Sequence, residues 1–85
     1  MNSAFHPEAR EEFLAAIDLY NQTESGLGLD FASEITASIE LIEAFPNAWT
    51  LVDFEIRRCL VRRFPYALLY AVEKGCVMIY AVMHV

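Results

Sequence analysis

Apolar residues recur at helical spacing in the first half of the chain and crowd into short runs in the second. Over residues 7–24, Phe13, Ile17 and Tyr20 fall on one side of a helix. Pro7 suits its first position, and Glu8, Glu11 and Glu12 favour the positive end of its dipole. Ser25-Gly26 ends the segment. A second helix is predicted from Leu29-Asp30, with Asp30 as its cap and Phe31, Ile35, Ile39 and Ile42 as its stripe, until Phe45-Pro46-Asn47 stops it. The two helices form a hairpin.

After that point the period shortens. The runs 56–64, 66–72 and 76–84 are rich in Val, Ile, Tyr and Phe, and they predict three strands of an antiparallel meander. Glu73-Lys74-Gly75 supplies one turn, with Gly75 available for a positive φ, and Pro65 marks the other corner. Ser3-Ala4-Phe5 predicts a brief edge strand. The fold class is therefore α+β: a two-helix N-terminal hairpin packed on a small antiparallel β-sheet, in one domain over residues 1–85.

The last strand does not alternate apolar and polar residues. Period two puts Cys76, Met78, Tyr80 and Val82 on one face and Val77, Ile79, Ala81 and Met83 on the other, so both faces read as covered. Two helices cover one face only, and the second calls for a foreign helix, a second copy or a further piece of chain. Composition agrees, because with Gly counted and Tyr left out 47 of 85 residues are apolar, about 55% against the usual ~45–50%. In a chain of 85 residues, part of that surface stays outside unless a partner covers it.

The net charge of −6 conceals an asymmetry: eleven acids against one base over 1–56, and five bases against one acid over 57–85. Arg57, Arg58, Arg62 and Arg63 make a compact cationic segment. Such a segment suits phosphate or a carboxylate-rich partner, or it pairs with the protein's own helical acids. On a strand, Arg58 and Arg62 share one face, and Arg57 and Arg63 the other. Cation-assisted RNA cleavage needs such arginines on the scissile phosphate and a proton-transfer pair, for which Tyr66, Tyr70, Tyr80 and His84 are the nearby residues. The tyrosines equally read as core and rim packing, and His84 as the end of a strand.

Several chemistries lack a signature. There is no phosphate-binding glycine loop, and Gly26-Leu27-Gly28 reads as the junction between helices. His6 and His84 stand at opposite ends, without the clustered ligands of a zinc site. Cys59 and Cys76 lie two strands apart in the meander, so they read as two buried thiols rather than a disulfide, in a reducing, cytoplasmic setting. The apolar stretches flanking Glu73-Lys74 are too short to span a bilayer, so no membrane partner is expected.

Taken in order, Phe5-His6-Pro7-Glu8-Ala9, Glu12, Tyr20, Gly26-Leu27-Gly28 with Phe31, Pro46, Ile56-Arg57-Arg58, Phe64-Pro65-Tyr66, Tyr70 and Ala81-Val82-Met83-His84 resemble the RelE/ParE superfamily of type II toxins. The resemblance spans nearly the whole chain and is nearest to the ParE-like plasmid stabilization branch. It implies a toxin neutralised by a cognate antitoxin, with no cofactor and no metal. ParE-like members poison DNA gyrase, and RelE-like members cut messenger RNA on the ribosome. The resemblance also implies a basic, aromatic C-terminal tail beyond position 85 that carries part of the toxic surface, so this form reads as shortened. The sequence-based expectation is a gyrase inhibitor rather than an enzyme. Arg57, Arg58, Arg62, Arg63, Tyr66 and His84 face the target, and Met78, Tyr80 and Val82 face the antitoxin. Arg57, Arg58, Arg63 and His84 are the catalytic candidates for the alternative of message cleavage. The third reading is an inactive remnant that binds antitoxin or forms a homodimer through the open sheet face.

Overall fold

A computed structural model describes all 85 residues. In chain order the elements are β1 (Asn2–Phe5), α1 (Pro7–Thr23), α2 (Leu27–Ala44), β2 (Thr50–Asp53), β3 (Ile56–Leu60), β4 (Tyr66–Glu73) and β5 (Cys76–His84). They build one five-stranded sheet in the order β1-β5-β4-β3-β2, with β1 parallel to β5 and the other pairs antiparallel. The predicted α+β class, the edge strand and the helical hairpin are all present. β2 was not foreseen, and β3 stops four residues earlier than expected. At Val61–Pro65 the chain leaves the ladder, with Arg63 in the left-handed region at φ +70°.

Local chemistry explains the helix ends. His6 caps α1, its Nδ1 accepting the Glu8 N–H at 3.2 Å, and Pro7 follows at the first position. α2 begins at Leu27 instead of near Asp30. Its cap residue, Gly26, sits at φ +87° and has no side chain to offer, so Asn21 on α1 accepts the Gly28 N–H at 2.8 Å. The free amide at the start of one helix is thus satisfied by the other.

Phe31, Ile35, Ser38 and Ile42 form the buried stripe of α2. They meet Cys59, Val61, Tyr66, Leu68, Tyr70, Val77, Ile79 and Val82 on one face of the sheet. Phe31 is the centre of an aromatic cluster, with ring centroids 4.8 Å from Tyr66, 5.1 Å from Tyr20 and 5.3 Å from Phe64. Tyr70 is fully buried and donates its hydroxyl to the Pro46 carbonyl at 2.7 Å, which ties down the loop after α2.

The face expected along β5 is corrected by a bulge. Leu69 pairs with Ala81 and Tyr70 with Ile79, so Tyr80 is an extra residue and the pleat changes phase there. Val82 therefore points into the core at 3% exposure, with Val77 and Ile79, and does not share the outer face with Met78. Glu12 of α1 accepts the Val82 N–H at 3.0 Å next to the bulge. Removing that carboxylate leaves a half-buried amide without its charged acceptor. Glu12→Ala is therefore expected to lower stability by about 2 kcal/mol in urea denaturation, with Glu11→Ala close to neutral. Equal, small effects of the two would remove the role given to Glu12.

Candidate functional site

Both helices lie on one side of the sheet, and the other side is bare. Its floor is small and shielded, with Ala67 and Ala71 buried in β4. Around it stand half-buried Leu69, Met78 and Ala81 and exposed Leu60 and Met83. Arg58 rises from the same face, since it pairs with Leu69, and it makes no ion pair. A cation set in an apolar field suits a partner surface carrying carboxylates among apolar groups.

The four arginines do not form one patch. Arg57 lies on the helix side, opposite Tyr70, and its Nη1 donates to the carbonyls of Trp49 at 2.6 Å and Asn47 at 3.2 Å. It braces the loop into β2. Arg63 makes both ion pairs of the structure, to Glu34 at 3.2 Å and Asp30 at 4.0 Å on α2, with its guanidinium 5.7 Å from the Phe64 ring centre. That residue pairs with the protein's own acids, as one of the two sequence readings had it. Arg62 is exposed, beside a recess of about 300 Å³ between α2 and the end of β3. Because β3 ends at Leu60, the strand geometry that would pair Arg58 with Arg62, and Arg57 with Arg63, is absent.

Tyr66 and His84 are brought together. They are cross-strand partners with ring centroids 5.3 Å apart, edge to face. His84 is exposed, whereas Tyr66 is 8% exposed and burial among aromatic rings, with Tyr20 adding to it, pushes its phenol pKa up. Along β4 this pair stands three residues from Arg58, about 10 Å at ~3.4 Å per residue, and on the opposite face. Tyr70 is likewise held above the usual phenol range, first by burial, with nearby Arg57 opposing the shift. Tyr80 donates to Glu73, and that hydrogen bond raises its pKa. No group of three or more His, Cys, Asp or Glu is placed to hold a metal ion. A phosphate clamp beside a proton-transfer pair is not assembled by these positions.

The cysteines differ from each other, and only one matches its expectation. Both are free, but Cys59 is buried and Cys76 half-buried at the start of β5. Burial pushes the Cys59 thiol from 9.0 up to about 11, partly opposed by the polar side chain of neighbouring Ser38. A group that ionises later in the folded state than in the unfolded one contributes constant stability at lower pH and loses it as pH rises between those values. Melting temperature is therefore expected to fall between pH 9 and 11, with Tyr66 and Tyr70 adding to the decline in the same direction. In alkylation at pH 8, Cys76 should react first and Cys59 only on unfolding; equal rates would show that Cys59 is not shielded.

No helix is long and apolar enough to cross a membrane. No family model matches the sequence, and no curated protein matches it. Among solved structures, the chain is similar to a chain of the chromosomal ParDE TA system from P. aeruginosa. The TM-score is 0.87 at 16% identity, over 100% of this chain and 96% of that one. The helical hairpin and the five-stranded sheet thus make up a fold shared with that ParDE chain.

Proposed function

We propose that this chain is the toxin component of a type II toxin–antitoxin system and that a cognate antitoxin neutralises it. The carrying observation is the bare apolar sheet face with Arg58 rising from its β3 side, in a chain whose fold is shared end to end with a chain of a ParDE TA system. Met78 and Tyr80 lie on the side the antitoxin covers, while buried Val82 acts only by shaping it. The action is that of a binding protein on DNA gyrase. Arg58 meets the target on the bare sheet face, exposed Arg62 and His84 lie outside that face, and Arg57, Arg63 and Tyr66 brace the fold around them. Message cleavage is the weaker reading, because the arginines are dispersed, Tyr66 is buried, and a net charge of −6 repels a phosphate backbone over most of the surface.

Induction in bacteria without antitoxin, with DNA and protein synthesis followed separately by precursor incorporation, tests the reading. Early loss of DNA synthesis with filamentation is expected. Early loss of protein synthesis would move the assignment to message cleavage, and no effect of a folded, soluble chain would reduce it to a binder of antitoxin. In a supercoiling assay, Arg58→Ala should leave the melting temperature unchanged and weaken inhibition about tenfold, the scale of one interface contact worth ~1.4 kcal/mol. Undiminished inhibition would place the target contact elsewhere.

A further inference from the structure

Strand β2 and the turn that joins it to β3 have no role in the reading above, and that turn carries the most exposed large apolar side chain of the protein. Phe54 sits at its tip, 93% exposed, at φ +39°. The two-residue turn Phe54-Glu55 would take glycine, asparagine or aspartate at a positive φ without cost. A bulky ring there is strained as well as solvated, a combination that persists where the side chain is used. Next to it lies a recess of about 270 Å³, lined by Leu51, Val72, Asn47 and Arg57 beside Phe54 and Glu55. A cavity of about 150 Å³ already accommodates a benzene ring, so a benzyl side chain fits.

The charges around this feature are complementary to each other. Asp53 and Glu55 flank the projecting ring, and neither makes an ion pair. Arg57 lines the recess and spends Nη1 on two carbonyls, with no acid within ion-pairing distance. One hairpin therefore supplies a projecting aromatic ring with carboxylates beside it and a recess with a guanidinium in its wall. A patch bearing both halves of one contact is what a two-fold interface requires. We infer that this hairpin is a self-association surface, on which Phe54 of each copy enters the recess of a second copy and brings Glu55 to its Arg57.

Strand pairing across the edge does not supply the contact. Leu51 pairs with Arg57 and Asp53 with Ile56, so Val52 is an extra residue that bends the edge strand away from a regular ladder. Side chains carry the association, and a patch of this size gives a dimer that depends on concentration.

Sedimentation equilibrium of the purified chain, from about 10 µM to about 1 mM, is expected to show a reversible dimer. Phe54→Gly removes the ring and relaxes the turn, so it should stay monomeric while melting no lower than the parent. Glu55→Lys places like charge against Arg57 and should raise the dissociation constant at least tenfold. A parent chain that remains monomeric throughout overturns the inference. So does a Phe54→Gly variant that dimerises with the parent's constant, a result that would put the contact on the open sheet face instead.

Discussion

Gly28→Ala is expected to be among the most damaging single substitutions in this protein, although it adds one methyl group to a helix. The new Cβ would stand well inside van der Waals contact of the Ile17 carbonyl oxygen and 2.6 Å from Cγ of Asn21. Neither neighbour can yield freely. The Ile17 oxygen belongs to the backbone of α1, and the Asn21 side chain is held because it accepts the Gly28 N–H. The helices must therefore separate along their crossing, which strips packing from Phe31 and Ile35. Overpacking of this kind costs about 3 kcal/mol, a large share of the stability of so small a domain. A fall in melting temperature of roughly 15 °C follows. Gly26→Ala is the control: open space surrounds that Cβ, and only the positive φ is strained, for about 1 kcal/mol. If Gly28→Ala melts within about 3 °C of the parent, the close approach of the helices has been overstated.

Phe31→Ala is expected to cost about 4 kcal/mol, with loss of the near-ultraviolet circular dichroism that ordered aromatic rings produce. Its side chain is fully buried and lies within 6.1 Å, centre to centre, of Phe13, Tyr20, Phe64 and Tyr66. These residues come from α1, β4 and the loop before it, so one truncation opens a cavity against three parts of the fold. Tyr66 is the ring next to His84, and the damage should reach the exposed histidine as well. Phe31→Leu keeps an apolar side chain and should lose roughly 1–2 kcal/mol. Phe45→Ala, at a residue 61% exposed, should be nearly silent. A Phe31→Ala protein as stable as Phe45→Ala would show that the cluster does not hold the layers together.

The helices were legible because each buries a stripe with a period that only a helix produces. Phe13, Ile17 and Tyr20 on α1, and Phe31, Ile35, Ile39 and Ile42 on α2, all sit at or against the core. The start of α2 was misread because the residue that caps it lies seven positions earlier, on the other helix. β2 gave no signal: Thr50-Leu51-Val52-Asp53 is four residues long, exposed throughout and without alternation. The premature end of β3 had a faint one in Pro65, since a proline has no N–H to donate to a ladder.

The candidate site was legible in its residue types and not in its arrangement. Four arginines within seven residues announced a cationic segment, and Tyr66 and His84 stood among its nearby proton-transfer residues. Their faces did not follow. From Met78 to Met83 both parities of β5 are apolar, so nothing in the pattern marks the phase change at Tyr80; only the Glu12 carboxylate reaching the Val82 amide does, from 70 residues away.

By itself, the sequence determined the class of fold, the helical hairpin, the strands of the meander and the presence of an apolar face beyond what two helices can cover. These are properties of local period and of total apolar surface. The tertiary structure alone decided which arginine is half-buried as a brace, which is paired and which is free, where β5 changes face, and that Phe54 projects beside a recess. Those outcomes rest on single hydrogen bonds and on one-residue shifts of register between segments far apart in the chain, and a one-residue shift moves a side chain from one face of a sheet to the other.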